Sequence, residues 1–152
     1  MSGGLSILEG FRTMTQEDMQ TLLRVARWMQ DHKPHIMSKV RQIAGTEENY
    51  LIIARELDRV NGQITQARSV RAEATLTLLD WLIIVDSYHW KCAYCQKKPF
   101  EVMYHRVPLP GGGTTPSNCV PACCSCRARK KKKFLATTPV EFCESPVSPA
   151  ES

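Results

Sequence analysis

Cys92-Ala-Tyr-Cys95 and Cys123-Cys-Ser-Cys126 are two Cys-x-x-Cys pairs separated by 27 residues, and they fix how the C-terminal third of this chain must fold. A two-residue spacer lets both sulfurs of a pair point to one side of a tight turn. Two such turns complete a tetrahedral shell of four thiolates around one ion, with Zn–S bonds of about 2.3 Å. Cys119 or Cys124 could take the place of Cys123, but only Cys123 with Cys126 repeats the spacer. The chain carries seven cysteines, an odd number. In a reducing compartment that favours thiolate metal ligands over a disulfide framework. Cys143, far out in the C-terminal tail, is expected to be a free thiol. About 40 residues cannot build a sufficient apolar core, so the zinc is expected to be structural, with the chemistry sought between the two turns.

Charge separates along the same boundary. The 152 residues carry a net charge of +5, which hides a marked asymmetry. Residues 1–90 hold 10 basic and 11 acidic side chains, whereas residues 91–135 hold 10 basic side chains against the single acid Glu101. All seven cysteines and eight of the nine prolines also lie beyond residue 91. Such a concentration of positive charge implies a polyanionic partner, and nucleic acid is the first candidate. The run from Arg127 to Lys133, which contains Arg127, Arg129, Lys130, Lys131, Lys132 and Lys133, is the expected site of phosphate contact, with Arg106 beside it. No pattern suggests base readout, so binding is expected to be independent of sequence and to favour DNA.

Between the turns stands Tyr104-His105-Arg-Val-Pro108-Leu-Pro-Gly-Gly112-Gly113, followed by Asn118-Cys-Val-Pro-Ala-Cys123. Over residues 91–133 the chain resembles the HNH endonucleases, or ββα-metal nucleases, whose members run Cys-x-x-Cys, Asp-His, Pro, Gly-Gly, Asn and Cys-x-x-Cys-Asn in this order. The resemblance implies a β-hairpin carrying the histidine, a loop carrying the asparagine and a helix opening after the second pair. It places His105 as the general base for phosphodiester hydrolysis and Asn118 as the residue that shapes the loop. A neutral imidazole suits that role because its ordinary pKa lies near working pH. In the family a catalytic cation, such as Mg2+ or Mn2+, is bound by the acid before the histidine and by the residue after the last cysteine. Here those positions are Tyr104 and Arg127; a neutral phenol is a poor ligand for a hard cation, and a guanidinium cannot ligate one. Glu101 lies four residues from His105, roughly 13 Å along a strand, so it is not expected to replace the missing carboxylate. Arg127 could instead act as a fixed positive charge on the phosphate.

The first 90 residues read as a helical bundle. Thr15 and Asp18 form a capping pattern before Met19, Leu22, Leu23, Ala26 and Met29, which recur at helical spacing up to Pro34. Ile36, Val40, Ile43 and Ala44 give a shorter helix that stops at Gly45. Thr46 caps a third, whose seam of Ile53, Leu57, Val60, Ile64 and Ala67 alternates steps of four and three. Residues 71–90, apolar nearly all round, form the fourth and central helix.

The expected architecture is therefore α+β: a flexible arm over 1–14, a helical bundle over 15–90, a zinc-stapled ββα module over 91–135 and a disordered Ser-Pro-containing tail over 136–152. The bundle supplies none of the four thiolates, so it is expected to stay folded when the metal is lost. It is also the expected surface for a protein partner or for self-association. No signal peptide opens the chain and no apolar run of about 18 residues occurs, so an intracellular protein is expected, cytoplasmic or, in a eukaryote, nuclear. Three functions compete: a metal-dependent endonuclease using His105, an inactive nucleic-acid-binding module derived from one, and a zinc-stabilised protein-interaction module.

Overall fold

The computed structural model describes residues 14–32 and 37–137, with side chains described as far as Lys130. Four helices come first: α1 Gln16–Asp31, α2 Met37–Ala44, α3 Glu47–Ser69 and α4 Leu78–Ser87. Two short strands, β1 Val102–His105 and β2 Cys119–Ala122, pair antiparallel and are followed by helix α5, Cys124–Thr137. The expected arm lies outside the described residues, apart from Met14. The tail does so from residue 138; α5 runs beyond Leu135, the expected end of the module. No helix of the described residues is long and apolar enough to cross a membrane.

The helix boundaries follow from their end residues. Thr15 Oγ1 accepts the Asp18 N–H at 3.0 Å and Thr46 Oγ1 accepts that of Asn49 at 3.1 Å, each satisfying a first-turn donor that the helix itself cannot. Gly45 closes α2 with φ +83°, a left-handed conformation that favours glycine. The fourth helix is shorter than expected. It opens at Leu78, where Thr77 and Asp80 form a reciprocal capping box. Residues 73–76 before it are not helical: Ala74 bridges to Thr114, Thr75 and Leu76 donate their N–H groups to Thr114 O, and Thr114 donates to Glu73 O. Backbone partners far away in sequence thus outcompete one more helical turn.

The bundle core is built from Leu22, Val25, Val40, Ile53, Trp81, Leu82 and Val85, all fully buried. Glu56 is buried among them, its carboxylate accepting from Trp81 Nε1 at 2.9 Å, Arg59 Nε at 2.8 Å and Arg55 Nε at 3.1 Å. A buried carboxylate without such donors would be strongly destabilising.

This core does not stop at residue 90. Met103 of β1 and Cys119 of β2 belong to the same apolar cluster, and Phe100 packs edge-on against Trp81 with ring centroids 5.9 Å apart. Arg59 Nη1 donates to Glu101 O at 2.7 Å. Composition changes sharply at residue 91; packing runs straight across it.

Candidate metal centre and adjoining cleft

Side chains alternate across β1, and the alternation divides the site in two. Met103 turns towards the bundle core, while Val102 and Tyr104 pack against a second cluster made of Cys92, Ala122, Cys123 and Cys126. The sulfurs of Cys92, Cys95, Cys123 and Cys126 all lie within 4.8 Å of one another. A tetrahedron of Zn–S bonds has S···S edges of about 3.8 Å, so these four residues can hold a metal ion such as zinc. The choice among cysteines that the spacing leaves open is thereby resolved. Cys119 faces the bundle core, where burial pushes its thiol up to about 12, and Cys124 is exposed on α5. Cys143 lies outside the described residues.

Backbone donors prepare the sulfurs for ionisation. The N–H groups of Lys98 and Lys97 bring the Cys95 thiol down to about 6. Burial opposes ionisation of Cys92, but donors from Cys95, Cys123 and Tyr94 outweigh it and its value falls, Tyr94 N lying 3.3 Å from the sulfur. Burial, with the neighbouring sulfurs of Cys123 and Cys92, pushes Cys126 up to about 12. Four thiolates this close cannot all ionise without a cation among them. Arg129 Nη2 donates to Cys126 Sγ at 3.0 Å, and the Lys130 ammonium sits 4.3 Å from the centroid of the Tyr94 ring. Two residues expected to meet phosphate are therefore turned towards the metal centre.

His105 and Arg127, far apart in sequence, line one cleft of about 380 Å³. Its other walls are Gln63, Gln66, Met103, Tyr104, Pro108 and Leu109. His105 ends β1 opposite Cys119. Its Nε2 lies 2.9 Å from Thr114 Oγ1, and that hydroxyl spends its one proton on Gln63 O at 3.2 Å. The hydroxyl can then only accept from the ring, which assigns the proton to Nε2 and leaves the lone pair on Nδ1. Burial pushes the His105 pKa below its ordinary value, so the imidazole is neutral at pH 7.

Asn118 holds the loop between the strands. Its Oδ1 accepts the Val107 N–H at 2.9 Å, and its Nδ2 donates to Val107 O and Gly113 O, each at 2.9 Å. The glycines are required by the close approach. A Cβ at Gly112 would collide with Val107 O and come within 2.6 Å of Asn118 Nδ2, and one at Gly113 would come within 2.6 Å of Glu73 O. Arg106 is turned elsewhere, with Nη2 donating to Tyr88 Oη at 3.4 Å. The side chains of Lys131, Lys132 and Lys133 lie outside those described.

Among the described residues no carboxylate lines the cleft. Glu101 is engaged elsewhere, its Oε1 accepting the Cys124 N–H at 2.7 Å and capping the start of α5. Thr114, Gln63 and Gln66 carry no motif that marks them in the sequence. Thr114 could be suspected only from its place after the glycines, and the two glutamines lie outside the apolar seam of their helix. No protein-family model, no curated protein and no solved structure matches this chain.

Proposed function

We infer that this chain is a nucleic-acid-binding protein of the HNH-endonuclease type, stapled by a structural zinc, with His105 in the general-base position for phosphodiester hydrolysis. The observation that supports it is the shared cleft: a neutral histidine and an arginine free of carboxylate partners among the described residues face one space, behind a loop clamped by Asn118. Arg127 supplies positive charge to a phosphate there, and His105 offers a lone pair for a water proton. The rest of the basic run adds attraction that does not depend on sequence.

A second reading, binding without cleavage, is favoured by one feature: the cleft is lined by Tyr104 and Arg127, a neutral phenol and a guanidinium at the two positions where the resemblance puts the cation's ligands. One set of assays separates them. The native protein is expected to bind DNA with a log–log salt slope of roughly −4 to −5, as for about four to six neutralised phosphates, and Lys130 to Lys133→Gln flattens that slope. Incubated with plasmid and Mg2+ or Mn2+, it is expected to cut poorly. Tyr104→Asp with Arg127→Asn restores two ligands and raises cleavage, and adding His105→Ala abolishes the gain. Absence of binding at low salt would remove nucleic acid from the reading altogether.

A further inference from the structure

The cleft has a wall that phosphate binding leaves unused. Gln63 and Gln66 stand one turn apart on α3, and both line the space that Arg127 and His105 face. Residues three apart on a helix share a face, so the two amides project side by side. Their backbone carbonyls are engaged, by Thr114 and Ser69, while neither side-chain amide has a hydrogen-bond partner among the described residues. Tyr104, Met103 and Leu109 line the same cleft, and the Tyr104 ring is held there edge-on to Tyr94, with centroids 5.7 Å apart.

A phosphate alone calls for none of this. It needs cations and N–H donors, whereas here two side-chain amides share a cleft of about 380 Å³ with a tyrosine and apolar residues. That volume lies in the range of about 300–1,000 Å³ typical of pockets for small molecules, the size class of one nucleotide. A double helix can only lay its backbone across the mouth, because its bases are stacked and paired. An unpaired base offers a π-face to stack and an edge for a side-chain amide, as in adenine recognition by Gln.

We propose that the cleft takes one unpaired nucleotide of a single-stranded nucleic acid, with the phosphate on Arg127, the base against Tyr104 and Leu109, and its edge on the amides of Gln63 and Gln66. The proposal rests on the nucleic-acid reading above and specifies the form recognised. It also gives the helical bundle a part in recognition, since α3 supplies the amides. The 2′-hydroxyl is the only chemical difference between DNA and RNA at the sugar, so both strands carry the recognised features.

The test uses the full zinc-loaded chain with fluorescently labelled oligonucleotides of about 12 nucleotides, as single-stranded DNA, single-stranded RNA and the matching DNA duplex, followed by anisotropy at one salt concentration. The expected result is tighter binding of a single strand than of duplex, by about tenfold or more. Gln66 is exposed, so Gln66→Ala should fold normally; it is expected to weaken single-strand binding by about five- to a hundredfold, the range for losing a bidentate base contact, and to leave the duplex unchanged. Arg127→Gln weakens both forms. The DNA and RNA arms show which sugar is preferred. Equal affinity for single strand and duplex, or a Gln66→Ala variant that binds single strands as well as native protein, overturns the proposal while leaving the nucleic-acid reading standing. No binding of any oligonucleotide overturns both.

Discussion

Asn118 satisfies three backbone groups at once, Val107 N, Val107 O and Gly113 O. Asn118→Ala is therefore expected to cost about 2–4 kcal/mol, the sum of lost bonds and of groups left unpaired. Asn118→Asp keeps the shape but replaces two donors by a carboxylate oxygen facing two carbonyls, so it is expected to cost at least as much at pH 7. Urea unfolding with zinc held constant checks both; a loss below about 0.5 kcal/mol for either variant would show that the loop is held by something else. Because the same loop carries Thr114 to His105, the alanine variant should also weaken the hold on the imidazole. The role of Asn118 as loop clamp is the part of the family resemblance that needs no partner molecule to examine.

At the scale of elements, the start of α5 depends on a residue 23 positions earlier. Glu101 Oε1 accepts the first-turn N–H of Cys124 and sets a negative charge at the positive end of the helix. Glu101→Ala is expected to lower stability by about 0.5–1 kcal/mol, and Glu101→Gln, which keeps an acceptor, by less. Thermal unfolding followed by circular dichroism reads this. Cleavage by the native chain that is lost in Glu101→Gln while stability is kept would instead make Glu101 a cation ligand. Elements of this kind divide sharply in how far the sequence reveals them. Thr15, Thr46 and Gly45 mark helix ends through interactions within four residues, so α1, α2 and α3 are legible. Residues 71–76 are not, because they follow helix-like periodicity while 75 and 76 give their N–H groups to Thr114, and no local signal announces a partner that distant. The metal centre is legible for the same reason as the caps: two ligands of each pair are neighbours. Cys123 is preferred to Cys119 by the repeated spacer, and the strand register agrees with that choice by turning Cys119 to the bundle. The cleft is half legible, its His105 and Arg127 on motif positions and its glutamines on a helix outside any motif.

At the scale of the whole molecule, the shared core changes what metal loss should do. Sequence alone suggests that the bundle survives unaided, since all four thiolates lie beyond residue 91. In the structure Phe100 packs on both Trp81 and Trp90, Met103 and Cys119 complete the apolar cluster around Leu22 and Leu82, and Arg59 bridges the buried Glu56 to Glu101 O. Without metal the four cysteines no longer fix the two turns, β1 and β2 lose their anchor, and Met103 and Phe100 withdraw from the bundle. Removing two large apolar side chains from a packed core costs several kcal/mol in total, a large share of the stability of a domain this size. One zinc per chain is expected from elemental analysis of the purified protein, lost in Cys92→Ser and kept in Cys143→Ser. Chelation of the native protein, or Cys92→Ser, is then expected to alter the near-ultraviolet signal of the tryptophans and to lower the unfolding midpoint of the helices. Two independent transitions, with the helical one unmoved by chelation and the tryptophan signal intact, would mean that the bundle stands alone and that the contacts across residue 91 contribute little.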